Sequence, residues 1–159
     1  MYTIREIEKK DDKIIEKIIR DCLIEFGGNH EGCAWSDPDL SRFSEIYGKD
    51  DMKYWVCENE SGIVVGGTGI GPIDKDKNIC ELQKMYCIKE VRGKGVSHLL
   101  MEKAIEFAET LYDAIYLETF DNMFAAMKFY EKYGFVRTEE TIGNTGHYTC
   151  DVHYIKNLR

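Results

Sequence analysis

Proline and long apolar runs are both scarce in this sequence of 159 residues. Its two prolines, Pro38 and Pro72, mark no interdomain boundary, and no linker, repeat or low-complexity segment divides the chain. We therefore expect residues 1–159 to form one domain with a substantial core. No apolar run is long enough to span a bilayer, and residues 1–6 lack the apolar core of a signal peptide. These absences argue against a membrane protein and predict a cytoplasmic location.

Positive charge is the second shortage. The chain has 21 Lys and Arg residues against 29 Asp and Glu, which gives a formal net charge of −8. Proteins that bind nucleic acid usually carry a basic face, so we expect no nucleic-acid partner. The acidic balance suits a cationic amine substrate. It equally suits a chain that is charged for solubility alone, and composition leaves both interpretations open.

Paired cysteine motifs are also absent. The six cysteines show no CxxC spacing, so we expect them to be reduced, several of them as small core residues. The pattern His147-x-x-Cys150-x-x-His153 invites a metal site. In a strand, however, Cys150 points away from both histidines, which then lie about 20 Å apart. We therefore predict no structural zinc.

Apolar periodicity predicts alternating helices and strands. Residues 12–26 carry a helical apolar stripe, which Asp11 or Asp12 can cap and which Gly27 ends. A second short helix is expected over residues 38–47. Strands are expected over residues 2–7, 52–58, 63–71 and 79–88. The order of these and the later elements predicts a mixed α/β sheet with helices on both sides.

One predicted strand has glycine at alternate positions. Gly67, Gly69 and Gly71 fall on one face and leave a furrow without side chains. Such a furrow permits close approach of a ligand or of another element. We favour packing of a helix there over contact with a ligand.

A glycine-rich turn is the most informative segment. The run Arg92-Gly93-Lys94-Gly95-Val96-Ser97 follows an apolar strand pattern and precedes a helical one. Unpaired N–H groups and the positive end of a helix dipole therefore meet at one point. Glycine lets the backbone approach a ligand closely, and Arg92 and Lys94 add mobile positive charge. The turn predicts a phosphate or pyrophosphate site, with a plain tight turn as the alternative.

A second motif further along the chain supports the phosphate site. Residues 126–135 read Ala-Met-Lys-Phe-Tyr-Glu-Lys-Tyr-Gly-Phe. In this order and spacing the two motifs resemble the GCN5-related N-acetyltransferase (GNAT) family, closely over residues 79–136 and in outline elsewhere. The resemblance implies a GNAT-like fold with a mixed, mostly antiparallel central sheet flanked by helices on both sides. It also implies acetyl-CoA as cosubstrate.

The resemblance implies which residues bind acetyl-CoA. The strand end before the turn pairs its backbone with the pantetheine, as an added strand would. The turn and the first turn of the following helix cradle the pyrophosphate. The residues assigned in this way are Cys87, Ile88, Lys89, Arg92, Gly93, Lys94, Gly95, Val96, Ser97 and His98.

Two positions depart from the family's pattern. Ser97 stands where the family usually has glycine or alanine, but serine is small and can itself donate to phosphate. Asn122 is assigned to the cofactor although it lies one residue before the family's asparagine. On a helix that displacement is a rotation of about 100°. The alternative for Asn122 is a helix N-cap.

Acetyl transfer to an amine requires a neutral amine, donors for the tetrahedral oxyanion and a proton for the departing thiolate. The resemblance implies Tyr130 as general acid, with aromatic packing as the alternative. Glu81 and Glu118 are equal candidates for general base, because a carboxylate within an apolar strand is costly unless it is paired or functional. Either could instead be a structural partner of Lys84 or of a backbone donor. His147, in a turn between candidate strands, is assigned to the acceptor side.

These assignments predict an acyl-CoA-dependent N-acyltransferase. It would transfer the acetyl group of acetyl-CoA to a primary amine, on a small molecule or a peptide, by direct attack; a homodimer is compatible with the sequence. The alternative is a non-catalytic acyl-CoA-binding sensor or interaction module, which would release no CoA in the presence of amines. A nucleotide-binding protein is disfavoured because the chain lacks both G-x-x-x-x-G-K-[ST] and G-x-G-x-x-G.

Overall fold

The computed structural model describes residues 1–143 and 150–159. Its elements follow the chain in the order β1 (Thr3–Glu6), α1 (Asp12–Glu25), α2 (Phe43–Ile46), β2 (Lys53–Glu58), β3 (Val64–Asp74), β4 (Ile79–Cys87), α3 (Val96–Leu111), β5 (Ala114–Thr119), α4 (Phe124–Lys132), β6 (Val136–Thr138) and β7 (Val152–Asn157). This order agrees with the predicted one, although the helix expected over residues 38–47 is shorter. Within the described ranges, no helix is long and apolar enough to cross a membrane.

The strands form one sheet in the order β1-β2-β3-β4-β5-β7-β6. Neighbouring strands are antiparallel except for β4 and β5, which are parallel. Successive residues of β2 face opposite layers. Val56 shares a buried cluster with Ile19 of α1, and Trp55 shares one with Met101 of α3. The predicted mixed, mostly antiparallel sheet with helices on both sides is therefore confirmed.

The junction of β1 and α1 is held by two carboxylates. Asp11 accepts hydrogen bonds from the Arg5 guanidinium at 2.8 and 3.0 Å and from the Glu8 N–H at 2.8 Å. Asp12 accepts from the N–H and the hydroxyl of Ser44, at 2.9 and 2.5 Å. Both side chains thus bind groups outside α1. Asp11 occupies the N-cap position of α1 as expected, but its side chain makes no capping hydrogen bond to this helix.

The glycines of β3 make room for neighbouring side chains. Cβ atoms added at Gly67 and Gly69 would lie 2.6 and 2.7 Å from ring carbons of Tyr54, too close for any real contact. A Cβ added at Gly71 would lie 3.0 Å from the amide oxygen of Gln83. The furrow is therefore filled by side chains, chiefly the ring of Tyr54. A helix lies on this side of β3, because α1 contacts β3 and Tyr54 shares a buried cluster with residues of α1.

A bulge in β4 lies opposite these glycines. Lys84 and Met85 together stand opposite Thr68 alone, so β4 has one residue more than β3 at this point. Lys84 adopts a left-handed backbone with a φ of 52°. Its carbonyl accepts a hydrogen bond of 2.8 Å from the Tyr54 hydroxyl. Because a bulge bends its strand, the second half of β4 takes a different direction from the first.

The parallel strands β4 and β5 diverge along their length. The paired residues are Ile79–Glu81 of β4 and Ala114–Tyr116 of β5. Past these pairs β4 enters the bulge while β5 continues to Thr119. A cleft therefore opens in the sheet between the two strands, and the candidate active site lies along it.

Candidate active site

The loop before α3 presents backbone N–H groups to an open space. Because α3 begins at Val96, the N–H groups of its first turn have no carbonyl partner earlier in the helix. Gly93 and Gly95 have left-handed backbones, with φ of 79° and 87°. Cβ atoms added to them would meet no atom of the described residues within 4 Å. The two glycines are thus required for backbone conformation, and the space at the positive end of α3 suits an anion.

A cavity of about 390 Å³ lies against this loop, which is within the range of small-molecule sites. Many of the predicted cofactor residues line it, namely Cys87, Arg92, Gly93, Gly95, Val96, Ser97 and His98. Apolar and aromatic side chains of β4 and α4 complete the wall, namely Met85, Tyr86, Ala125, Ala126, Phe129 and Tyr130. We call this space the cofactor cavity.

Three predicted cofactor residues, Ile88, Lys89 and Lys94, are not among the residues that line this cavity. Ile88 and Lys89 line a neighbouring surface groove. The Ile88 N–H donates to the Val65 carbonyl at 2.9 Å, so the sheet already uses this N–H. Pairing of the other backbone groups at this strand end with pantetheine stays a prediction. The Lys94 N–H closes the turn on the Val91 carbonyl at 3.1 Å.

Arg92 is held in place. Its guanidinium binds both carboxylate oxygens of Glu25, at the end of α1, at 2.7 and 2.8 Å. It also lies 5.7 Å from the centre of the Phe26 ring. The expectation of a mobile charge was therefore wrong for Arg92. The ion pair keeps the cation at the rim of the cofactor cavity and ties the loop to α1.

Asn122 joins two loops instead of capping a helix. Its amide donates to the Phe26 carbonyl at 3.0 Å. The helix α4 begins at Phe124, with Met123 as its N-cap. The N-cap alternative was therefore wrong for Asn122. Its contact with the cofactor stays a prediction.

A second, smaller cavity of about 60 Å³ lies in the cleft between β4 and β5. We call it the cleft cavity. Both predicted bases, Glu81 and Glu118, line it. It shares four lining residues with the cofactor cavity, namely Met85, Tyr86, Met123 and Tyr130. The two cavities therefore meet at these residues.

Tyr130, on α4, stands at this junction. The residue is 9% exposed, and burial raises the pKa of its hydroxyl to about 12. The hydroxyl therefore keeps its proton at neutral pH. A protonated phenol that lines both cavities is able to donate a proton to a group lying between them.

Glu81 is held by a short hydrogen-bond chain. Its carboxylate accepts from the Gln83 amide at 2.9 Å, and the oxygen of that amide accepts from the Tyr47 hydroxyl at 2.5 Å. Burial, together with the negative charges of Glu81 and Asp37, raises the pKa of Tyr47. Its hydroxyl therefore stays a donor, and the chain fixes the direction of the Glu81 carboxylate.

Glu118 has its own partners. Its side chain is 3% exposed and accepts a hydrogen bond of 2.8 Å from the Tyr116 hydroxyl. His153 Nε2 lies 3.8 Å from the same carboxylate and 3.1 Å from the Cys150 carbonyl. The Tyr116 and His153 rings stack with centres 6.1 Å apart. Two positioned carboxylates on adjacent strands thus face one small cavity.

The sequence did not reveal most of the residues that hold Glu81 and Glu118 in place or surround them in the cleft cavity. Strand periodicity contained the signal for two of them, because Gln83 and Tyr116 each lie two residues from a glutamate and hence on the same face of a strand. It contained none for Cys150, which also lines the cleft cavity. Lys84, which the sequence offered as a partner of either glutamate, lines this cavity too and forms an ion pair with Asp37. The predicted acceptor residue His147 lies outside the described residues.

Comparison with known proteins agrees with this geometry. The sequence profile of the Acetyltransferase (GNAT) family matches residues 14–135. The chain is 36% identical over 158 residues to the Escherichia coli K12 protein named "Uncharacterized N-acetyltransferase YjgM", covering 98% of this chain and 94% of that one. It is 37% identical over 109 residues to N-acetylaspartate synthetase of Xenopus tropicalis, covering 67% of this chain and 39% of that one.

The fold has a close structural match. A GNAT-family acetyltransferase from Staphylococcus aureus Mu50 superposes with a TM-score of 0.86 over 100% of both chains, at 24% sequence identity. At that identity the likeness concerns the fold. The matches in sequence go further: this chain belongs to the GNAT family. It is an acyl-CoA-dependent N-acyltransferase.

Proposed function

We propose that this enzyme transfers the acetyl group of acetyl-CoA to a primary amine of a small molecule or peptide, by direct attack of the amine on the thioester. The observation that carries the proposal is the meeting of two cavities at Tyr130. One cavity lies against a loop suited to phosphate, and the other is lined by two carboxylates. Direct transfer requires this arrangement, because the amine and the thioester must reach one point from separate sites.

The loop fits the pyrophosphate of the cosubstrate. The N–H groups of Val96, Ser97 and His98 begin α3, and the glycines before them leave the space in front of the loop open. The Ser97 hydroxyl and the Arg92 guanidinium also line this space. Charge-assisted hydrogen bonds from such donors are the stronger ones in proteins. The bound cosubstrate supplies an activated acetyl group.

The acceptor end requires removal of a proton from an ammonium group. In our proposal Glu81 or Glu118 collects that proton, directly or through water, so that the neutral amine attacks. The donors that hold each carboxylate keep it directed into the cleft cavity. Tyr130 then gives its proton to the departing thiolate at the junction of the cavities.

The test is a pair of measurements on the purified protein. Calorimetry with CoA and acetyl-CoA should show binding, and thiol release should appear when a panel of amines, amino acids and peptides is added. The name of the Xenopus relative is a reason to include amino acids. Binding without thiol release for every acceptor would favour the acyl-CoA-binding sensor. Lack of binding would refute the assignment of the cofactor cavity.

We also propose that residues 1–159 act as one domain in the cytoplasm. Free thiols at Cys22, Cys33, Cys57, Cys80, Cys87 and Cys150 support a reducing compartment. The homodimer stays a prediction, which sedimentation velocity checks.

A further inference from the structure

Lys84 is a partly buried cation in the wall of the cleft cavity. Its side chain is 13% exposed. Among the described residues that line this cavity it is the one with a positive charge. It also lines an outer cavity of about 370 Å³, which extends past Asp37, Phe43 and Met52. A charge in such a position is costly unless it has a partner, and Asp37 supplies one from the outer side.

The backbone at Lys84 is held in an unusual conformation. Its φ of 52° is a left-handed backbone, which is uncommon for a residue with a side chain and is found with strain at ligand clamps. The hydroxyl of Tyr54 holds the Lys84 carbonyl at 2.8 Å, and the ring of Tyr54 occupies the glycine furrow of β3. Several features of the fold thus support the same bulge and direct Lys84 to the boundary of the two cavities.

The cleft cavity has charges of both signs. Burial raises the pKa of the Cys150 thiol to about 12, the negative charges of Glu118 and Glu81 add to the rise, and the positive charge of Lys84 opposes it. These three charged groups therefore act on one sulfur atom in the wall of this cavity. The space between them suits a ligand that has a cation for the glutamates and an anion for the lysine.

The ion pair of Lys84 leaves it able to bind a second anion. Its ammonium lies 2.7 Å from the Asp37 carboxylate, which is 22% exposed. An ammonium has three donor hydrogens, so one bond to Asp37 leaves donor capacity for another carboxylate.

We propose that Lys84 binds a carboxylate of the acceptor, and hence that the acceptor is an amino acid whose amine faces Glu81 and Glu118. This inference rests on the proposed function. The volumes agree with it, because the cleft cavity of about 60 Å³ suits only a small head group. The outer cavity of about 370 Å³ has room for the rest of the molecule. A simple amine would leave the remaining donor hydrogens of the Lys84 ammonium facing the ammonium of the acceptor.

The test compares each common L-amino acid with the amine obtained by removing its carboxylate. We expect acetylation of amino acids to be preferred in kcat/KM. Lys84→Met should lower kcat/KM for the best amino acid by about 10- to 100-fold, the effect of one lost hydrogen bond to a charged group. It should leave its matched amine unaffected or improve it. Lys84→Arg keeps the charge and should restore part of the preference.

Asp37→Asn is the matched control, because it removes the partner of Lys84 and keeps the ammonium. We expect it to raise kcat/KM for amino acids, since Asp37 competes with their carboxylate. Equal losses in Lys84→Met and Asp37→Asn, for amino acids and amines alike, would overturn the role of Lys84 while the proposed function stands. Preference for the decarboxylated amines in the wild type would do the same. Failure of every acceptor would overturn the proposed function as well.

Discussion

Gly95→Val separates an effect on folding from an effect on binding. Gly95 has a φ of 87°, and a residue with a Cβ adopts this left-handed backbone at a cost of about 1–2 kcal/mol. Among residues 1–143 and 150–159, a Cβ at this position meets no atom within 4 Å, so no clash with them adds to this cost. For a chain of this length we expect the Tm to fall by about 2–8 °C, as measured by scanning calorimetry.

The effect on CoA binding should be larger. The valine side chain would enter the space in which we place the pyrophosphate, and each lost hydrogen bond to a charged group costs about 1.5–3 kcal/mol. That is about 10- to 100-fold in affinity for each bond. Because several N–H groups converge there, titration calorimetry should show binding close to abolished.

Gly62→Val is the matched control for this experiment. Gly62 also has a left-handed backbone, with a φ of 77°, and a Cβ on it also meets no atom within 4 Å in the part of the chain that the structure describes. It lies in the hairpin between β2 and β3, outside the cofactor cavity. We expect a similar fall in Tm and unchanged affinity for CoA. Unchanged CoA affinity in Gly95→Val, or equal weakening in both variants, would refute the reasoning.

Four further variants test the remaining roles. Tyr130→Phe should lower kcat by about 10²–10⁴-fold at unchanged CoA affinity, and wild-type turnover would show that Tyr130 only packs. Activity should rise with pH as the acceptor amine loses its proton. Glu81→Gln or Glu118→Gln should therefore lower kcat/KM most at low pH. If the pH–rate profiles of both variants overlay that of the wild type, neither glutamate takes part in the mechanism. Burial raises the pKa of Asp11, but the hydrogen bonds from Arg5 and a backbone N–H outweigh it and the pKa is lowered overall. The Asp11 ion pair therefore contributes its full stability at pH values above about 3.9, the pKa of an aspartate in the unfolded chain. It loses that stability as the pH falls through the lower pKa that Asp11 has in the folded state. We expect Asp11→Asn to reduce the free energy of unfolding at pH 7 by about 1–3 kcal/mol and to flatten its decline in acid; an unchanged acid decline in urea titrations would contradict this.

The elements and the phosphate loop were predictable because their causes are local. The apolar stripe of α1 needs only its own period, which places Ile15 and Ile19 on one buried face. The glycines of the loop are required by the backbone itself, since Gly93 and Gly95 both have positive φ. Neither inference depends on which segments, distant in the sequence, pack against these residues in the fold.

The active-site pairings were less predictable because they depend on distant segments. Arg92 looks like a free charge in the sequence, and only the fold brings Glu25, 67 residues away, into contact with it. Glu81 and Glu118 could be chosen as buried carboxylates. Their shared cavity arises only because β4 diverges from β5 at the bulge of Lys84, and the sequence gives no local sign of that bulge.

The position of Tyr54 shows how a shift of one residue in the pairing of β2 with β3 determines what fills the glycine furrow. Glu58 pairs with Val64. In a regular antiparallel hairpin that continues from this pair, Tyr54, four residues before Glu58, would stand opposite Thr68, four residues after Val64. An irregularity after Cys57 shifts the register by one, so Tyr54 pairs with Gly69 instead. Directly opposite residues share a face, so the ring lies over glycine and its hydroxyl reaches the β4 bulge. The alternating glycines were visible in the sequence, but the ring that fills the furrow follows from a one-residue shift that strand periodicity does not encode.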